Sequence, residues 1–256
     1  MKTSQHQLVR AILQSPSGRL VRDHIVNLFY PSLRLKRDFI SSVLKTFVNS
    51  GDILLDVGCA ERSTETLVLD RNARYIGVEY PVWQELYSIV TIKERPDAWL
   101  DIMAAGVSLE SLDVIVMFDV LEHIANPDLA LKNCHAMLRD HGRMIILIPF
   151  LMEIHGGSEG EQDFLRICPS GLFSFLERAG FSTIRTQKIG GFGDACSTLV
   201  SGFFLRHYFA SAGIRRALYF CAGAVTISAT TLVRPLLNSI DRLQRNPPYI
   251  AAVASK

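Results

Sequence analysis

An α/β fold, a mostly parallel sheet carrying helices on both faces, is what this sequence predicts. Two observations carry the prediction. Four short runs, Ile53–Val57, Tyr75–Glu79, Leu112–Phe118 and Arg143–Pro149, are largely apolar at consecutive positions rather than alternate ones. Strands buried on both faces read this way. Segments with helical spacing separate or follow these runs, and strands alternating with helices indicate parallel pairing.

Taken in order, residues 1–50 read as an N-terminal helical segment. Leu8, Ile12, Leu20, Ile25 and Leu28 stand amid polar residues, with a break at Ser15 to Gly18. Leu35, Phe39, Val43, Leu44 and Phe47 then keep near-helical spacing from Leu33 to Val48. A turn, Asn49 to Asp52, precedes the first strand. A helix from Pro127 to Arg139 lies between the third and fourth strands and is closed by Asp140-His141-Gly142. Gly171 to Ala179 is a further helix, stopped by Gly180. Phe181 to Ile189 alternates as a half-exposed strand does, and Tyr249 to Val253 is short and apolar enough for a last strand.

Composition narrows the class. The chain is 48% hydrophobic and 20% charged, with a net charge of +2, which fits a packed domain and not a disordered one. Lys and Arg are scattered, so no nucleic-acid partner is expected. Five cysteines without a CxxC pair suit a reduced, cytoplasmic compartment and no bound metal. The polar first 25 residues do not read as a secretory signal.

The end of the first strand carries the chemical signature. Asp56-Val-Gly58-Cys-Ala60 follows the apolar run, and Glu79 ends the second run about twenty residues later, the spacing of a nucleoside site. Gly58 allows a sharp turn and a close approach of backbone to ligand. Glu79 can accept both hydroxyl protons of a ribose, and Asp101 can accept a proton from an adenine amino group. The loop Gly58 to Ser63 lacks the G-x-G-x-x-G cradle that holds a pyrophosphate. This disfavours NAD or FAD and leaves room for a cationic sulfonium.

Read together, these segments resemble the class I S-adenosylmethionine-dependent methyltransferases, in the large group that includes UbiE-like enzymes. The matching pieces are Leu54 to Cys59, Tyr75 to Glu79, Asp101, Leu112 to His123, Ile124 to Pro127, Met137 to Gly142 and Ile146 to Pro149. Order and spacing match over roughly residues 50–190. The resemblance implies a Rossmann-like sheet and S-adenosylmethionine as cofactor. It implies Asp56 and Gly58 at the methionine end, Ala60 among the cofactor-binding residues, Glu79 on the ribose, Asp101 and Ile102 flanking the adenine, and Phe118 or Asp119 at the mouth. Ala60 stands where the family usually has a second glycine. A later pattern, Pro149-Phe150, Ile154-His155-Gly156, Asp163-Phe164-x-Arg166, is similar to a bacterial subgroup associated with surface-glycan or lipid modification.

For an oxygen acceptor, His155 is the candidate general base, since a histidine titrates near neutrality; a loop-fastening role is its alternative. Asp163 and Arg166 either pair across one turn or orient a polar acceptor. His123 is expected to be structural, and Cys59 to be a small buried residue. The domain reading is a methyltransferase core over 51–198, a hydrophobic helical insertion over 199–243, and a terminal strand in 244–256 that completes the core. Ala217 to Val233 carries no charge, and Arg215, Arg216 and Arg234 flank it. With Phe203, Phe204, Tyr208 and Phe209 nearby, peripheral membrane contact through 200–240, at the inner face, is expected. A buried hairpin and a marginal span are the alternatives. The function predicted is methyl transfer to a small-molecule, glycan or lipid-linked acceptor. A non-catalytic partner subunit with the same fold is the second reading, and a nicotinamide oxidoreductase a distant third.

Overall fold

The computed structural model describes residues 31–84, 95–104, 110–154 and 163–256. The first part of the N-terminal helical expectation and the candidate base His155 lie outside the described residues. The described chain runs α1 (Pro31–Phe47), β1 (Ile53–Val57), α2 (Glu65–Leu69), β2 (Arg74–Glu79), β3 (Ala98–Trp99), β4 (Leu112–Phe118), α3 (Pro127–Met137) and β5 (Leu138–Pro149). It continues as α4 (Pro169–Arg178), β6 (Ser182–Ile189), α5 (Phe192–Ala210), α6 (Gly213–Ile240) and β7 (Tyr249–Ser255). Short 3-10 turns follow β2 and β4, at Pro81–Trp83 and Leu121–His123.

The seven strands form one sheet in the order β3-β2-β1-β4-β5-β7-β6. Pairing is parallel from β3 to β5, and β7 runs antiparallel to both its neighbours. This is the Rossmann-like sheet the sequence predicts. β4 is buried at every residue, as continuous apolar runs require. Its one acid, Asp113, is paid for locally: Asp113 Oδ2 accepts the Ile53 N–H at 2.7 Å, and Arg139 pairs with the same carboxylate. That contact ties the start of β1 to the start of β4.

Helix limits follow ordinary capping. Asn126 accepts the Leu129 N–H at 3.1 Å and Pro127 opens α3. Pro169 opens α4, and Gly180, at φ +100°, lets the chain leave it. One boundary differs from the sequence reading. α3 stops at Met137, and Asp140-His141-Gly142 belong to the early part of β5 instead of to a separate turn. The register explains this: Leu112 pairs with Leu138, but Val114 pairs with Arg143. The turn residues are accommodated as a bulge in which His141 takes φ +63°.

The described chain divides into two compact units. Residues 38–189 and 249–256 contain the whole sheet and helices α2 to α4; residues 190–248 and the described residues 31–37 belong to the other. In that second unit α5 and α6 form an antiparallel hairpin joined at Ser211 and Ala212. The helical segment begins at Phe192, before the apolar run itself becomes evident at Leu199.

Candidate cofactor site

Four neighbouring parallel strands, β3, β2, β1 and β4, end on the same edge of the sheet. The chain steps outward from β1 to β2 to β3, then returns to β4 on the other side of β1. At such a reversal, the connections leaving the two strands part in opposite directions and open a crevice beyond their carboxyl ends. Asp56 and Gly58 lie at the end of β1, Glu79 at the end of β2, Asp101 just after β3, and Phe118 and Asp119 at the end of β4. The sheet therefore collects the sequence-predicted residues, 56 to 119, onto one edge.

The turn after β1 is built by close approach. Gly58 has φ +73°, and a Cβ there would overlap the Val120 side chain, so only glycine fits. The Gly58 and Cys59 N–H groups both donate to the Val78 carbonyl, at 2.9 and 3.1 Å. Ala60, at the place of the expected second glycine, has φ +44°. Its N–H donates to Glu79 Oε2 at 3.0 Å, while the Tyr80 N–H donates to Oε1 at 3.1 Å. Glu79 is thus turned toward the β1 loop. Each carboxylate oxygen accepts more than one hydrogen bond, so capacity for ribose hydroxyls is left.

Asp56 is buried behind the loop. Its carboxylate accepts from the Thr64 hydroxyl and from the Tyr75 hydroxyl, the latter at 2.7 Å. Burial pushes its pKa from 3.8 up to about 6, although both hydroxyl donors pull it down. Burial likewise pushes the Cys59 thiol up to about 12, which fits a small packed side chain and not a nucleophile.

Arg62 completes the turn from the other side. It pairs with Glu65 at 2.7 Å and Asp97 at 2.9 Å, donates to the Arg95 carbonyl at 3.1 Å, and lies 4.8 Å over the Tyr75 ring. Its guanidinium is held charged, chiefly by the hydrogen bond to Glu65. Asp97 in turn accepts the Gly77 N–H at 2.8 Å. Sequence reading missed this cluster because Arg62 and Asp97 stand 35 positions apart and no motif links them.

Asp101 caps its own turn, accepting the Met103 N–H at 2.9 Å. Ile102 is buried, and its carbonyl accepts from Asn133 of α3 at 2.8 Å. Phe118 is buried at the end of β4; Asp119, at φ +55°, donates its N–H to the Leu147 carbonyl at 2.9 Å. Asp163 and Arg166 form an ion pair, and Arg166 also donates to the Glu153 carbonyl at 3.2 Å. The Phe164 N–H donates to the Glu122 carbonyl at 2.8 Å. The pair thus binds the segment after β5 to itself, and that segment is tied to the Leu121–His123 turn.

The sequence matches the methyltransferase-domain family over residues 30–213. The chain belongs to that family.

Solved structures agree on the fold of the methyltransferase domain. The chain aligns with the cyclase SpnF at 18% identity and TM-score 0.53, covering 86% of this chain and 81% of that one. It aligns with an S-adenosylmethionine-dependent methyltransferase from Archaeoglobus fulgidus at 14% identity and TM-score 0.51, covering 86% and 94%. With phosphoethanolamine N-methyltransferase 2 from Haemonchus contortus, in complex with S-adenosyl-L-methionine, identity is 14% and TM-score 0.53; the match covers 86% of this chain and 52% of that one. No curated protein matches the chain. Similarity at this level concerns the fold. A cyclase among these structures illustrates that one fold hosts different chemistry.

The residues of this edge suit a sulfonium nucleoside. Its acids, Glu79, Asp101 and Asp119, can take hydroxyl and amino protons. The one tight glycine, Gly58, lets backbone approach a ligand, and the loop offers no glycine-rich cradle for a pyrophosphate. Among the described residues no group of His, Cys, Asp and Glu is placed to hold a metal ion.

Proposed function

We propose that the protein transfers a methyl group from S-adenosylmethionine to an oxygen of a small-molecule, glycan or lipid-linked acceptor. The observation that carries this reading is the placement of Glu79 against the Gly58–Ala60 turn, with Asp101 and Asp119 at the ends of the flanking strands. Glu79 holds the ribose hydroxyls, Asp101 and Ile102 flank the adenine, and Gly58 and Ala60 line the methionine end. Asp56 supports that end from behind through Thr64 and Tyr75. Phe118 and Asp119 sit at the mouth.

Bound there, S-adenosylmethionine supplies a methyl on a sulfonium sulfur, which departs as a neutral thioether when an acceptor oxygen takes the methyl. What the protein adds is alignment and the exclusion of water. His155 takes the acceptor's proton, a role suited to a side chain that titrates near neutrality. Asp163 and Arg166 shape the acceptor side.

Within the family we place the chain near the UbiE-like group and the bacterial subgroup marked by Pro149-Phe150, Ile154-His155-Gly156 and Asp163-x-x-Arg166. That subgroup's association with surface glycans and lipids supports the acceptor class. Helix α6, 28 residues long, is apolar over most of its length and only 11% of its most apolar window is buried; this supports membrane contact through 200–240, which we place at the cytoplasmic face as a peripheral one. Incubating the protein with methyl-labelled S-adenosylmethionine and extracted glycans and lipids, followed by mass spectrometry, tests the reading. Label on an acceptor oxygen, lost in His155→Ala, is expected. Label on nitrogen alone, or none on any glycan or lipid, contradicts it.

A further inference from the structure

Among the described residues, none covers one face of α6 in the α5–α6 hairpin. Ile214, Leu218, Val225, Leu232 and Leu236 are 79%, 63%, 72%, 81% and 60% exposed. At 3.6 residues per turn these five positions fall within about 40° of one another. Small residues, Cys221, Ala222, Ser228 and Ala229, fill the gaps along the helix. The opposite side packs on α5. Gly223 and Ile227 are buried there, and a Cβ at Gly223 would come within 3.1 Å of Phe204. Further along, Asn238 Oδ1 accepts the Gly193 N–H at 2.8 Å, and Asn238 donates to the buried Asp194 at 2.9 Å. α6 is therefore one-sided: polar and small residues lock it to α5, and large aliphatic residues face away.

Charge surrounds this face with one sign. Residues 190–248 contain six arginines, Arg206, Arg215, Arg216, Arg234, Arg242 and Arg245, against two acids, Asp194 and Asp241. Asp194 is buried, whereas five of the arginines, all but Arg234, are exposed. Such a border complements an anionic surface and opposes the apposition of two copies through the same face.

Length decides how the face meets a lipid surface. Between Arg216 and Arg234 lie the uncharged residues 217–233, about 25 Å of helix at 1.5 Å per residue. The hydrocarbon core is about 30 Å thick. On α5 the stretch between Asp194 and Arg206 is shorter still, about 17 Å, so the hairpin cannot cross as a unit. The exposed stripe, by contrast, continues past the arginines at both ends, from Ile214 to Leu236, about 33 Å. A crossing helix that buried this stripe would carry Arg215, Arg216 and Arg234, which lie within its length, to the edges of the hydrocarbon, away from the phosphates they suit. A helix lying parallel to the surface buries all of the stripe at headgroup depth.

We infer that α6 lies in the plane of an anionic membrane surface, its Ile214–Leu236 stripe buried among the headgroups and acyl ends, with the flanking arginines on lipid phosphates. The inference rests on the peripheral contact proposed above and specifies its geometry. The test uses the full chain with phosphatidylcholine vesicles made with and without phosphatidylglycerol. Cosedimentation only with the anionic vesicles is expected, and in Leu218→Asp/Leu232→Asp it should fall about tenfold or more. Both leucines are exposed, so an unchanged thermal melt separates lost binding from lost folding. Insertion depth is then read by lipid-borne quenchers from a fluorophore at Ile214→Cys, Val225→Cys or Leu236→Cys, with Cys168, Cys196 and Cys221 changed to Ser. Equal, shallow depths at the three positions are expected. Vesicle binding with Val225 deepest and the other two near the interfaces overturns the in-plane geometry while leaving membrane contact standing. Absence of binding to anionic vesicles overturns both, as does a dimer that the double variant dissolves in place of vesicle binding.

Discussion

Strand β4 and helix α6 are both rich in large aliphatic residues, yet their fates differ. Every residue of β4 is buried, with Val114, Ile115, Val116 and Met117 fully enclosed. On α6, only Gly223 and Ile227 are buried. β4 sits between β1 and β5 in the middle of a sheet, where neighbouring strands and covering helices remove both its faces from water. Among the described residues α6 has one partner helix, α5, and a single partner covers a single face. Apolar sequence thus reports a demand for cover, and topology decides whether the chain itself supplies it. Where it does, the residues set stability; where it does not, they are free to set location.

The sharpest way to break this comparison is to truncate one residue from each region. Ile115→Ala should lower the unfolding free energy by about 4 kcal/mol, since it removes buried methyl groups and leaves a cavity. Leu232→Ala should change it by less than about 0.5 kcal/mol, as exposed positions do. Urea unfolding of both variants checks the pair, and comparable losses would show that α6 is covered after all.

A second contrast lies within the buried region itself, between its apolar strands and the charged pocket behind Gly58. The acid of Asp56 is raised from 3.8 to about 6 by burial. A raised acid favours the protonated folded protein. Its contribution to stability is fully present below about pH 4 and is lost as pH rises through about 6. The size is on the order of 3 kcal/mol. Asp56→Asn, which keeps an acceptor for Thr64 and Tyr75, should remove that slope. Urea unfolding between these pH values reads it, and parallel profiles for the two proteins would contradict the assignment.

The smallest expected effect concerns Ala60. A residue with a Cβ at φ +44° is strained, so Ala60→Gly should raise the unfolding free energy by about 1 kcal/mol. A loss of stability would mean that the loop relies on the alanine side chain.

Much of the sheet was legible because its strands are buried on both faces and therefore read as unbroken apolar runs. Strand β3 was not: two residues, Ala98 and Trp99, give no pattern. The early part of β5 was hidden for another reason. Asp140-His141-Gly142 has the chemistry of a turn, and only the shifted pairing with β4 keeps it in the strand. At the site, Gly58 and Glu79 could be located because a sharp turn and a strand-ending acid have sequence marks. The hydrogen bond between Asp56 and Tyr75 depends on the parallel register of β1 and β2, which sets Gly77 beside Asp56 and Tyr75 two residues back along β2; no local pattern marks it. The Arg62–Asp97 bridge depends on where β2 and its exit loop lie, which no local pattern encodes.

Calorimetric titration of the full chain with S-adenosylhomocysteine tests the central claim most directly, that Glu79 grips a nucleoside beyond the ends of β1 and β2. One binding site is predicted, with affinity falling tenfold to a hundredfold in Glu79→Ala, the worth of charge-assisted hydrogen bonds to a ribose (about 1.5–3 kcal/mol). Equal affinity in the two proteins, or no binding to either, would contradict it.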